Sequence, residues 1–176
     1  TYRHQQYYLF FPARDHQGIF RIGVATSSSP AGPFKPQEKY IPNSFSIDPA
    51  VFTDDDQKTY LFFGGLWGGQ LEKWQTGKFD PEGKEPDRSA PALGPRVAEL
   101  SDDLLSFKEE PQEVLIVDES GNPILAGDEE RRYFEAPWVH KYRGNYYLSY
   151  STGTTHCIVY AMSQNPKGPY VFKGKI

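Results

Sequence analysis

Short runs along this chain either alternate hydrophobic and polar positions or cluster aromatic residues. The run YLFF occupies 8–11 and again 60–63, and YLSY occupies 147–150. Short runs of either kind, bounded by Gly, Pro and Asp, are typical of half-buried β-strands. The pattern therefore predicts an all-β chain of many short strands joined by turns.

A second element follows each of these runs at a fixed spacing. It spans 25–34, 98–107 and 161–170, and in each copy an aromatic residue follows an alanine by nine positions. Self-similarity of this kind indicates a repeat architecture, and repeats of about four short strands indicate the blades of a β-propeller around a central channel. A β-sandwich with chance similarity is the alternative.

Three copies divide the chain into predicted blades. The strands, from the centre of each blade outward, are predicted at 47–53 and 135–141; 5–11, 59–64 and 145–151; 19–26, 95–100 and 157–163; and near 34–37, 112–117 and 170–173. We expect blade remnants at 1–46, a blade at 47–117 with a long insertion at 76–94, a further insertion at 118–133, and a blade at 134–176. About three blades are fewer than the roughly four to eight that close a propeller, so we expect an incomplete part of one domain.

Composition limits the partners. The net charge of −4 argues against a nucleic-acid partner, and no stretch approaches the length of a membrane span. Cys157 is the single cysteine, which excludes an internal disulfide and leaves the redox compartment open. We favour a secreted or periplasmic location over a cytoplasmic one.

Two carboxylates hold equivalent places in successive repeats. Asp48 in SIDPAVF lies twelve residues before Tyr60, and Glu135 in YFEAPWV lies twelve before Tyr147. Both would begin innermost strands and point at one mouth of the channel. An aromatic setting and a neighbouring carboxylate raise the pKa of a carboxyl group, which suits a general acid that protonates a glycosidic oxygen. Glu135 is thus predicted as the acid and Asp48 as its modulator, although Asp48 would serve equally well to bond backbone N–H groups.

Other side chains on the same rim are candidates for binding sugar. Trp67, Trp138 and Phe134 would stack on sugar rings, and His156 would bond a sugar hydroxyl unless it only structures its loop. Arg14 is a weaker candidate, because a solvated loop pair with its neighbour is the simpler interpretation. The acidic turn at 54–56 lacks the glycine and terminal glutamate of a calcium loop, so we predict a solvated hairpin turn and no metal site.

The motifs together resemble one family. With SIDPAVF, GGLWGGQL, GPRVAELSDDLLSF, FEAPWVHKYRGNYYLSYSTGTTH and NPKGPY, the chain resembles glycoside hydrolases of family 43 over essentially its whole length. It is most similar to the β-xylosidase and α-L-arabinofuranosidase members that trim xylan and arabinoxylan. The resemblance implies a five-bladed catalytic β-propeller that inverts the anomeric carbon, with an oligosaccharide or polysaccharide as substrate.

The resemblance also implies roles for residues. Glu135 matches the family's general acid, and Asp48 matches the aspartate that orients the acid and tunes its pKa. The general base is an aspartate of the family's first blade, and no residue here matches it, so this segment alone is expected to be inactive. Related retaining propellers that act on fructans carry Arg-Asp-Pro at 47–49, where this chain has Ile-Asp-Pro. A retaining fructan-type hydrolase and a non-catalytic carbohydrate-binding propeller remain the alternatives. No cofactor is expected; a channel calcium ion occurs in the family, but no ligand set is visible here.

Overall fold

The computed structural model describes residues 1–154 and 156–176. These residues form an all-β structure with two short 3₁₀ turns, at Trp67–Gly69 and Leu71–Trp74. The strands are β1 (Tyr2–Arg3), β2 (Gln6–Arg14), β3 (Phe20–Ser27), β4 (Lys35–Pro36), β5 (Ala50–Thr53), β6 (Thr59–Phe63), β7 (Arg96–Glu99), β8 (Gln112–Glu113), β9 (Ile116–Val117), β10 (Tyr133–Tyr142), β11 (Asn145–Thr152), β12 (Ile158–Ser163) and β13 (Tyr170–Lys175).

The strands form three sheets that follow one another along the chain. Their orders are β1-β2-β3-β4, β5-β6-β7-β8 and β10-β11-β12-β13-β9. Successive strands within each sheet pair antiparallel, as the repeated alternation predicted. Three meandering sheets of this kind are the expected blades.

One predicted outer strand differs from the structure. The segment 112–117 forms two strands instead of one, separated by Val114 and Leu115: Val114 N–H donates to Pro95 O beside the second sheet, and Leu115 O accepts from Tyr170 N–H of the third. β8 completes the second sheet, whereas β9 pairs parallel with β13 of the third sheet, with Ile116 opposite Tyr170. The outer edge of the last sheet is therefore supplied by the sheet before it.

A single hydrophobic core joins the sheets. Every residue of β6 is buried, and Leu61, Phe62 and Phe63 have no exposed surface. A strand buried on both faces reads as a continuous apolar run, which explains why TYLFF shows no alternation. β10 packs against β5 and β6, so the innermost strands of two blades lie side by side.

The acidic turn after β5 differs from its prediction. Asp54 is 8% exposed and accepts hydrogen bonds from Lys141 Nζ at 2.8 Å and from the Tyr146 hydroxyl at 2.5 Å. Burial alone would raise the pKa of Asp54, but these two bonds outweigh it and hold the pKa below its ordinary value. The prediction of a solvated turn is therefore wrong for Asp54, which connects the second and third sheets.

The insertions lie against each other. Ala92 N–H donates to Ile124 O at 2.8 Å, and Ala126 N–H donates to Ala90 O at 2.9 Å.

Across the described residues, no helix has the length and hydrophobicity that a membrane-spanning segment requires.

Candidate active site

The two predicted acids lie together at one end of the innermost strands. Asp48 precedes β5 by two residues, and Glu135 is the third residue of β10. Asp48 Oδ2 accepts a hydrogen bond of 3.1 Å from the backbone N–H of Ala136, the residue after Glu135. Asp48 and Ala136 both have positive φ, at 56° and 57°, a region that costs non-glycine residues free energy and that concentrates at functional sites. The carboxylate thus fixes the backbone beside the candidate acid.

Burial raises the pKa of the Asp48 carboxyl group. The N–H of Ala136 offsets part of this rise, because its hydrogen bond favours the charged form. The side chain of Glu135 is 32% exposed, so its carboxyl group is open to an incoming molecule. Both residues are partly buried, so the pair consists of one carboxylate that a backbone N–H holds and one that lies beside His156.

The charges of both acids affect the pKa of one buried tyrosine, Tyr133. Tyr133 is 1% exposed, and its hydroxyl donates to the carbonyl of Gly64. Burial raises the pKa of Tyr133 well above its ordinary value, and the negative charges of Asp48 and Glu135 raise it further. Both carboxylates therefore lie within electrostatic reach of one hydroxyl, as convergence on one site requires.

The glycine-rich segment 64–70 packs against Ser46 and Ile47 and lies beside Glu135. Ser46 Oγ donates to Gly69 O at 2.7 Å and accepts from Gly65 N–H at 3.0 Å. A Cβ on Gly65 would lie 2.7 Å from Ile47 Cγ1 and 3.4 Å from Glu135 Cβ. Glycine at position 65 permits the close approach of the segment to Ile47, the residue before Asp48.

Aromatic rings surround the accessible carboxylate. Phe134 packs edge-to-face against Trp67 at 4.9 Å and against His156 at 5.0 Å. His156 Nδ1 lies 3.6 Å from Glu135 Oε1. Trp67, Phe134 and His156 therefore form a cluster beside Glu135. The prediction that Phe134 stacks on a sugar ring is wrong, because Phe134 is only 4% exposed and its ring packs between Trp67 and His156. Thr155, in the same predicted rim loop as His156, lies outside the described residues.

The two remaining candidates lie farther along their strands. Trp138 is 66% exposed, three residues beyond Glu135 on β10 and opposite Ser149 of β11. Arg14 ends β2, and its guanidinium lies 4.7 Å from the ring centre of Phe20. Arg14 thus packs on its own sheet.

Sequence reasoning missed a charged network behind Trp67. Arg132 is 3% exposed and pairs with Glu85 at 2.7 Å and with Glu129 at 3.2 Å. The indole N–H of Trp67 also donates to Glu85. Glu85 lies in the insertion 76–94, where no alternating pattern marks it, and only the placement of an arginine directly before the apolar start of β10 could have signalled a buried partner.

The described residues contain no group of three or more His, Cys, Asp and Glu side chains placed to hold a metal ion. One similar structure, reported below, is described as a calcium-free form, which suggests that calcium is bound in such proteins. The acids, the aromatic rings and the glycine segment instead lie together at one end of the innermost strands.

Comparison with known proteins agrees with this geometry. The sequence model of glycosyl hydrolases family 43 matches residues 1–175. A xylosidase/arabinosidase 43A of Humicola insolens is 57% identical over 97% of this chain and 54% of its own length. A xylosidase/arabinosidase of Bacteroides ovatus is 51% identical over 97% of this chain and 53% of its own length.

Solved structures give the same picture. A β-xylosidase/α-arabinofuranosidase from a compost metagenome, in complex with xylotriose, superposes with a TM-score of 0.96 at 58% identity, covering 100% of this chain and 55% of that chain. An enzyme from Xanthomonas citri has a TM-score of 0.97 at 48% identity, covering 100% and 54%. The chain thus spans about half the length of the relatives it matches. The expectations of an all-β propeller fragment and of the family resemblance are confirmed.

Proposed function

Because this chain belongs to glycosyl hydrolases family 43, we propose that the protein containing it hydrolyses β-xylosides or α-L-arabinofuranosides derived from xylan and arabinoxylan. The names of its relatives support this class of substrate. The observation that carries the proposal is the hydrogen bond between Asp48 and Ala136, which joins the starts of two innermost strands and brings Asp48 beside Glu135.

Glu135 acts as the general acid. Its carboxyl group donates a proton to the glycosidic oxygen as the bond to the anomeric carbon breaks, so the leaving sugar departs as a neutral alcohol. Asp48 keeps the backbone of Ala136 in its positive-φ conformation and so orients the side chain of the preceding residue, Glu135. His156 lies beside the same carboxyl group with Phe134 packed against its ring, and Trp67 offers a half-exposed ring on which a sugar can stack.

The general base is proposed to lie outside this chain. An inverting enzyme separates its acid and base by roughly 6.5–9.5 Å, so that a water molecule attacks the opposite face of the sugar. The base deprotonates that water while Glu135 protonates the leaving group. This segment alone is accordingly expected to be inactive.

The test replaces Glu135 by Gln in the complete enzyme. We expect kcat on xylobiose to fall by about 10²–10⁴-fold, the usual contribution of general acid catalysis. Aryl xylosides with acidic leaving groups need less protonation and should lose less. Equal losses on both substrates, or normal turnover of xylobiose, would refute the assignment of the acid.

Product stereochemistry separates this proposal from a retaining, fructan-type hydrolase. Proton NMR of the first product should show the inverted anomer. Binding of xylo-oligosaccharides without any turnover would instead identify a carbohydrate-binding propeller. A secreted or periplasmic location, and the absence of nucleic-acid, membrane and cofactor partners, remain predictions.

A further inference from the structure

Trp67 is held from two sides by carboxylates. Its backbone φ is 54°, which is unfavourable for a residue with a bulky side chain. Its backbone N–H donates to Glu72 Oε2 at 2.9 Å, and Glu72 is only 7% exposed. Its indole N–H donates to Glu85. A strained aromatic residue fixed at both ends indicates that its orientation matters.

Glu85 is itself fixed by a buried cation. The guanidinium of Arg132 pairs with Glu85 Oε2 at 2.7 Å and with Glu129 Oε2 at 3.2 Å. A charge this deeply buried is stable only when its donors are satisfied, so the position of Glu85 is tightly determined. Glu85 thereby joins the insertion 76–94 to the residues that directly precede Glu135.

The indole, however, stays available. Trp67 is 51% exposed even though its N–H is bonded, and it contacts Phe134 edge-to-face. A ring whose edge is anchored while half of its surface is open is suited to stack on a sugar at little cost in side-chain entropy.

We propose that Glu85 is a positioning residue that fixes the indole of Trp67 as a sugar-stacking wall beside Glu135. The inference rests on the proposed function, because it assumes that a saccharide occupies the site. Glu85 acts through Trp67 and does not touch the reacting atoms. Its removal should weaken substrate binding in the ground state and transition state alike, which raises KM and leaves kcat nearly unchanged.

The experiment is a double-mutant cycle in the complete enzyme with xylotriose as substrate, comparing wild type, Glu85→Ala, Trp67→Phe and the double variant. Glu85→Ala should raise KM about tenfold, the size of one hydrogen bond to a charged group. In the Trp67→Phe background, which lacks the indole N–H, the same substitution should change KM by less than about twofold.

Glu129→Gln is the matched control. Glu129 pairs with Arg132 as Glu85 does, and no hydrogen bond or ion pair between it and Trp67 occurs among the described residues. This variant should lower the melting temperature while the KM for xylotriose stays near that of wild type. If Glu85→Ala does not fold, Glu85→Gln replaces it, and a smaller rise in KM is expected, again absent when Trp67 is Phe.

An unchanged KM in Glu85→Ala, or an equal rise in both backgrounds, would overturn the role of Glu85. A wild-type enzyme that hydrolyses neither xylosides nor arabinofuranosides would instead refute the proposed function. The two failures are therefore distinguishable from the wild-type and variant data.

Discussion

Asp48 and Ala136 are joined by a hydrogen bond of 3.1 Å that runs from the backbone of one blade to a side chain of another. The bond forms at the residue directly after Glu135, and both of its members have positive φ. The alternative role for Asp48, a bond to backbone N–H, is therefore present in the structure. That bond lies where it can also orient the candidate acid, so the structural and functional roles coincide.

Asp48→Asn keeps an acceptor for the N–H of Ala136 and removes the charge. Burial raises the pKa of Asp48, so the folded state binds its proton more tightly than the unfolded state does. Between the ordinary and the raised pKa the native state therefore loses stability as pH rises, and the ionised group is destabilising above that window.

We expect Asp48→Asn to be more stable than wild type at neutral pH, and this advantage to disappear at acidic pH. Urea unfolding between about pH 3 and pH 7 measures it. A difference independent of pH would contradict the expectation.

Asp54→Asn should have the opposite dependence on pH. Hydrogen bonds from Lys141 and Tyr146 hold the pKa of Asp54 below its ordinary value, so its contribution to stability is present above the unfolded-state pKa and is lost as pH falls through the folded-state pKa. We expect a loss of about 1–3 kcal/mol at neutral pH, typical of hydrogen bonds to a charged group. Asp56→Asn is the control, because Asp56 pairs only with its half-exposed neighbour Lys58 within the described residues. Equal losses of stability in the two variants would refute the role of Asp54 in connecting the second and third sheets.

Tyr133→Phe removes the hydroxyl that donates to Gly64 O beneath both acids. We expect unfolding to become easier by about 1–3 kcal/mol, because a buried carbonyl loses its partner, and kcat to change as well. Tyr150→Phe removes a comparable bond, of 2.6 Å to Arg131 O, from a buried tyrosine that no charge of Asp48 or Glu135 is seen to affect. Thermal melting and initial rates on xylobiose should show a loss of stability in both variants but altered turnover only in Tyr133→Phe.

Gly65→Ala and Gly68→Ala test the packing of the glycine segment. A methyl group at Gly65 would lie 2.7 Å from Ile47 Cγ1 and 3.4 Å from Glu135 Cβ, so the side chain of Ile47 must move. At Gly68 the same group would meet nothing within 4 Å. We expect Gly65→Ala to lose about 1–3 kcal/mol of stability by overpacking and to be impaired on xylobiose. Gly68→Ala should match wild type in melting temperature and in rate, and similar behaviour of the two would disprove the packing role.

The repeat made the main features of the site predictable. Equivalent positions in successive blades lie at equivalent heights in the channel, so Asp48 and Glu135 could be paired without coordinates. The YLFF and YLSY runs located the second strands for the same reason. Non-local contacts carried no such signal. Asp54 lies in a turn of ordinary composition, and its burial depends on Lys141, 87 residues away. Glu85 becomes significant only because Arg132 and Trp67 fold around it, and the separation of β9 from β8 depends on which sheet has a free edge.

The parallel pairing of β9 with β13 bears on how such a protein can change in evolution or by engineering. The segment 112–117 was expected to be the outer strand of the blade at 47–117, but Ile116 and Val117 belong by sequence to that repeat and by hydrogen bonding to the next. Cutting the chain at the apparent repeat boundary would deprive the last blade of its outermost strand. Shuffled or duplicated modules should therefore carry these two residues with the downstream partner.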